Sequence, residues 1–149
     1  MTLTKFSDYS LRLLLYLAVH DDRLVPVSEV SHAYRVSPHV MVKVVQLLVE
    51  DGLVASARGR RGGLRLAKAP SEINVGRLIR RTEPSWDLVE CFDRDRNTCP
   101  IDSACGLKGA LKRAQRAFFG VLDDHTLADF LQRPPSLIRL LHASLEGRP

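Results

Sequence analysis

Ser37-Pro38-His39-Val40-Met41-Val42-Lys43-Val44-Val45-Gln46-Leu47-Leu48-Val49-Glu50-Asp51-Gly52 runs into Leu53-Val54-Ala55-Ser56-Ala57, then Arg58-Gly59-Arg60-Arg61-Gly62-Gly63 and Leu64-Arg65-Leu66. Ser37 is a capping residue and Pro38 suits the first helical position, so a helix is predicted to start here. It runs to Glu50 and stops at Asp51-Gly52. Two short β-prone runs around a Gly/Arg turn then form a hairpin, placed directly behind that helix. Working upstream, Ser28 opens a short helix to about residue 34. Ser7-Asp8-Tyr9-Ser10 opens a longer one to about residue 20, apolar on nearly every side and therefore central to the core. Helix, tight turn, helix and hairpin in this order predict a mainly α fold, a winged helix-turn-helix with a small two-stranded β wing.

Downstream, a helix is expected over about 73–82, and the stretch 83–105 reads as irregular. A long helix follows over about 107–124. Its Leu107, Leu111, Ala114, Phe118 and Val121 recur at alternating spacings of four and three, a seam suited to a second copy of the chain. It reads as a dimerisation helix of a homodimer, the alternative being one face docked on its own domain. Thr126-Leu127-Ala128-Asp129 reads as a capping box opening a short helix, which Pro134-Pro135 breaks. The divisions are a winged-helix DNA-binding region over 1–82, a cysteine loop over 83–106, the dimerisation helix and its short successor over 107–131, and a C-terminal tail over 132–149.

Charge separates the two halves. Residues 1–82 carry 13 Lys+Arg against 7 Asp+Glu, and residues 83–149 carry 9 against 10. The basic half calls for an anionic partner, with double-stranded DNA the leading candidate. On the helix from Pro38, Val40, Val44, Leu47 and Leu48 are available to the core, while His39, Lys43, Gln46 and Glu50 share one polar stripe. A helix reading the major groove needs such a stripe. Arg58, Arg60 and Arg61 among three glycines make a poor core and a good phosphate or minor-groove finger. Ser28, Ser37 and the neighbouring Pro38 complete the candidate DNA contacts. No export signal, no stretch of roughly 18 apolar residues able to span a bilayer, and no nucleophile–base pair are visible, so a cytoplasmic non-enzyme is expected.

Cys91, Cys99 and Cys105 have the spacing C-x7-C-x5-C. In a reducing compartment such clustered thiols read as metal ligands or redox groups. Paired C-x2–4-C spacings of zinc knuckles are absent, whereas wide spacings in an irregular loop suit an iron–sulfur cluster. A thiol switch and a zinc site stay open as alternatives. Three thiolates leave a fourth ligand to be found among Asp93, Asp95 and Asp102 nearby, or Asp8, Glu83, His125 and His142 further off.

The stretch from Leu3 through Ser7-Asp8-Tyr9-Ser10 to Arg12, the wing 58–66 and the loop 91–105 resemble the IscR/NsrR/RirA family of winged-helix regulators. Met41-Val42-Lys43-Val44-Val45, Leu88-Val89-Glu90-Cys91-Phe92, Asn97-Thr98-Cys99-Pro100-Ile101 and Thr126-Leu127-Ala128-Asp129 are most similar to its nitric-oxide-sensing NsrR-type branch. The resemblance implies a homodimeric repressor with a 4Fe–4S cluster in each subunit, held by Cys91, Cys99 and Cys105, with Asp8 from the other subunit as fourth ligand. It implies release of operator DNA when nitric oxide reaches the cluster. Lys108 stands where IscR-type members carry a histidine, which argues against a histidine-ligated 2Fe–2S site. An iron-responsive regulator is the nearest alternative within the family.

Overall fold

The computed structural model describes residues 2–59, 62–131 and 134–145. In chain order the helices are α1 (Lys5–Val19), α2 (Val27–Ala33) and α3 (Pro38–Glu50), then strands β1 (Val54–Ala57) and β2 (Gly63–Leu66), then α4 (Val75–Thr82), α5 (Gly106–Asp123) and α6 (Pro134–Leu145). β1 and β2 form an antiparallel hairpin with Val54 opposite Leu66 and Ala57 opposite Gly63. Helix-turn-helix and wing are therefore as the sequence predicts.

α1 starts two residues earlier than expected because Thr4, not Ser7, caps it, its hydroxyl accepting the Ser7 N–H at 3.3 Å. Ser7 is instead buried, its hydroxyl 2.7 Å from that of Thr82. Glu83 accepts the Thr4 N–H at 2.8 Å and the Thr4 hydroxyl at 3.0 Å. The start of α1 is thereby tied to the end of α4, and Asp8 with it.

Leu13, Leu14, Tyr16 and Leu17 make α1 the central strut of the core. α3 packs Met41, Val44, Val45 and Leu48 onto it, while Val40 and Leu47 are half-buried. The buried stripe is turned from the expected one because α3 is wedged against α1, α2 and β1 together. Val25, between α1 and α2, exchanges two backbone hydrogen bonds with Leu64 of β2, at 2.9 and 2.8 Å. That bridge anchors the wing to the helical body. α4 and α5 meet so closely that a β-carbon at Gly76 would strike Asp123, whose carboxylate pairs with Arg80.

The segment after residue 133 departs from expectation. Pro134 and Pro135, read as a break before a tail, open α6, which packs on α2 and α1 and buries Leu141. Proline is tolerated in a first helical turn because the N–H it lacks has no helical acceptor there.

One polar cluster joins α1 to α2. The buried Tyr16 hydroxyl donates to Glu29 Oε1 at 2.7 Å, and Arg23 Nη1 donates to Glu29 Oε2 at 3.0 Å. Burial, then the Glu29 contact, pushes the Tyr16 phenol up, and the Arg23 hydrogen bond holds the Glu29 carboxyl below its ordinary value. A depressed carboxyl stabilises the fold above the unfolded glutamate pKa of about 4.3, and that contribution disappears as pH falls through the lower folded value. Glu29→Gln should therefore lower Tm at neutral pH and lose part of the acid-dependent fall in Tm, read by thermal melts across pH. An acid limb unchanged by the substitution would dismiss this role.

Candidate functional site

Two groups of predicted site residues lie on different parts of the fold. The first is the face made by α2, α3 and the wing. His39, Lys43, Gln46 and Glu50 are all exposed along α3, as the stripe requires. Ser28, Ser37 and Pro38 are also exposed and line one shallow depression of about 490 Å³ between α2 and α3. Ser37 does not cap α3 with its side chain, contrary to expectation. Its own carbonyl takes the Val40 N–H at 3.0 Å, the donor a capping hydroxyl would have used. Arg58 is exposed at the start of the wing turn, where Gly59 has φ +105°, a conformation that favours glycine. Arg60 and Arg61 lie outside the described residues.

Arg35 also lines the α2–α3 depression and was missed from sequence. The available signal was a helix-turn-helix turn, Tyr34-Arg35-Val36, that contains no glycine or asparagine.

The second group is the cysteine loop. Cys91 sits in a 3-10 turn over Glu90–Phe92, Cys105 immediately precedes α5, and Cys99 lies between them. All three are free thiols of intermediate burial. Glu90 braces the loop by accepting the Thr98 hydroxyl at 2.6 Å and its N–H, and Asn97 Oδ1 accepts the Cys99 N–H at 3.1 Å. The Thr98 hydrogen bonds keep the Glu90 carboxyl below its ordinary value. The short 3-10 turn Asp102–Ala104 then leads into α5.

Two of the local carboxylates considered as a fourth ligand, Asp93 and Asp102, already have partners. Asp93 accepts the Asp95 N–H at 2.9 Å and pairs with Arg96, and Asp102 pairs with Lys108. Hydrogen bonds from Arg96 and Lys108 respectively hold both carboxyls low. Glu83 is engaged with Thr4 and Ser7, and His125 lies 3.7 Å from Asp129. The side chain of His142 lies outside the described residues. Asp8 is half-exposed and pairs with Arg12 at 2.8 Å. Among the described residues, no three His, Cys, Asp or Glu side chains converge closely enough to hold a metal ion. The donor set itself, three free thiols on one loop, is soft and suits an iron–sulfur cluster better than a hard cation.

α5 shows the predicted seam unevenly. Leu107 and Val121 are 64% and 62% exposed, and Leu111 and Phe118 are half-buried. Phe119, off the seam, instead packs against Val75, Ile79 and Trp86. No described helix is long and apolar enough to cross a membrane.

A recognition helix with an exposed polar stripe, backed by a second short helix and followed by a hairpin wing, defines a winged helix-turn-helix transcriptional regulator. The sequence profile of the Rrf2 family, described as an iron-dependent transcriptional regulator, matches residues 3–133, and the chain belongs to that family. It is 46% identical over 142 residues to the HTH-type transcriptional regulator NsrR of Halalkalibacterium halodurans, covering 95% of this chain and 97% of that one. It is 39% identical over 142 residues to NsrR of Bacillus subtilis, with 95% and 97% covered. Among solved structures, IscR of T. potens superposes with a TM-score of 0.71 at 26% identity, covering 89% of this chain and 87% of that one. The two NsrR relatives are named as transcriptional regulators, not enzymes.

Proposed function

We propose that the chain is a homodimeric repressor that grips a palindromic operator with α3 and the wing, and releases it in response to nitric oxide. Three free cysteines on the loop entering α5 carry this reading, since no fold requirement explains soft ligands concentrated there. In this reading Cys91, Cys99 and Cys105 hold a 4Fe–4S cluster, with Asp8 of the partner subunit as a fourth, oxygen ligand. The cluster supplies iron reactive toward nitric oxide, and a carboxylate holds that iron more weakly than a thiolate would. The exposed Leu107 and Val121 supply apolar surface for a second copy. Similarity to proteins named NsrR at 39–46% identity favours this branch of the family.

In this reading Asp8 links the two regions. It lies in the first turn of α1, and Arg12, its partner, stacks 5.6 Å from the Tyr34 ring at the end of α2. A change at the loop that alters the hold on Asp8 therefore acts on the strut carrying α2 and α3.

The test is anaerobic purification followed by titration of nitric oxide into the DNA-bound protein, with visible absorbance and fluorescence anisotropy recorded together. Loss of absorbance in step with DNA release, from a protein sedimenting at twice the chain mass, is the expected result. A coloured protein that tolerates nitric oxide but releases DNA when iron is chelated would replace this signal with iron availability. A colourless protein that binds DNA would remove the cluster from the function.

A further inference from the structure

The turn between α2 and α3 keeps an arginine in a backbone conformation that residues with a β-carbon seldom adopt. Arg35 has φ +53°, and it is the only non-glycine among the described residues with a positive φ. The left-handed region crowds the β-carbon against the following carbonyl, a strain that glycine avoids. Among the described residues, no hydrogen bond, ion pair or ring contact of the side chain accounts for an arginine here. The residue is exposed, and its guanidinium makes no hydrogen bond or ion pair with any described residue. Strain kept without a local structural return is a reason to look for a ligand.

A second, independent observation lies beside it. Arg35 shares its depression with Ser31, a residue only 4% exposed whose hydroxyl has no hydrogen-bond partner among the described residues. A buried donor without an acceptor is costly until an acceptor arrives. An exposed guanidinium and an orphaned hydroxyl lining one depression call for one chemistry, an anionic oxygen. The same depression is lined by Ser37 and Pro38, where α3 begins and where its exposed His39 follows. The anion therefore belongs to whatever α3 reads.

We propose that Arg35 and Ser31 form a seat for one backbone phosphate of duplex DNA. The contact rests on the assignment of α3 as the DNA-reading helix and deepens it. A phosphate contact carries no sequence information and sets orientation, so the seat fixes how α3 enters the groove.

Arg35→Gly separates this role from a structural one, because glycine relieves the backbone strain while removing the cation. The full-length protein would be titrated against a mixed-sequence DNA duplex by fluorescence anisotropy over a range of salt concentrations, alongside thermal melts. The expected variant melts no lower than wild type and binds the duplex about fivefold more weakly. Its plot of log affinity against log salt is shallower by about 0.9, the value of one phosphate contact. Arg35→Lys should retain most of that slope, since it keeps the charge and loses only the fork. An Arg35→Gly protein with unchanged affinity and slope overturns the seat while leaving α3 as the reading helix. A lower Tm with an unchanged slope makes Arg35 a structural residue and overturns it equally. A wild-type protein with no salt-dependent duplex binding removes the DNA-reading assignment itself.

Discussion

Replacing Cys99 with alanine is expected to reduce the iron of anaerobically purified protein to background and to abolish its visible absorbance. Cys91→Ala and Cys105→Ala should do the same, because a cluster needs all of its thiolates while a folded loop does not. The loop's own bracing runs through Glu90, Thr98 and Asn97, and no cysteine side chain takes part in those hydrogen bonds. Far-ultraviolet circular dichroism should therefore remain close to wild type while cluster-dependent operator binding falls by tenfold or more, about 1.4 kcal/mol. Asp102→Asn is the matched control. Asp102 is engaged with Lys108 and lies in the same loop, so its replacement should leave the iron content unchanged. Iron retained in all three cysteine variants would remove the ligand assignment, and iron lost from Asp102→Asn would move the fourth ligand into the loop.

The second large effect is expected in the core, at Leu48. This side chain is fully buried in the main core cluster and lies on α3, a helix that packs against α1 and β1. Leu48→Ala should cost about 2–5 kcal/mol, made up of the lost transfer energy and the cavity left behind. Against a total stability of roughly 5–15 kcal/mol this is a large fraction, and Tm should fall by roughly 10 °C. DNA binding should weaken only as the folded fraction falls, because Gln46 and Lys43 are exposed and do not contribute to that core. Urea titration at the temperature of the binding assay separates the two quantities. A loss below 1 kcal/mol would show that α3 is held by its neighbours without Leu48.

Much of the winged helix was legible in the chain because its signals are local. Pro38 marks the start of α3, Gly52 lies just past its end, and the Gly/Arg turn between two β-prone runs specifies a hairpin. The box at Thr126 was equally readable, and Asp129 does accept the Thr126 N–H at 2.7 Å. The exposed polar stripe was also legible, since a 3.6-residue period places His39, Lys43, Gln46 and Glu50 together wherever the helix packs. The buried side was less legible. Met41 and Val45 are buried on α3 because three elements surround the helix, and one helix's own periodicity does not reveal how many neighbours it has.

The sequence by itself determined the class of fold, the basic half of the molecule, the polar stripe of α3 and the presence of three thiols on one loop. Each follows from residue type and short spacing, which survive any arrangement of the elements. Only the tertiary structure decided that α6 docks on α1 and α2, and that Glu83 fastens the start of α1. It also decided that Asp93 and Asp102 of the cysteine loop are already engaged, and that the strained Arg35 lines the same depression as the orphaned hydroxyl of Ser31. Those features depend on partners brought together by packing, such as Ser7 with Thr82, 75 residues apart. A pairing over that distance is settled by the burial of the elements between, and no short-range pattern encodes it.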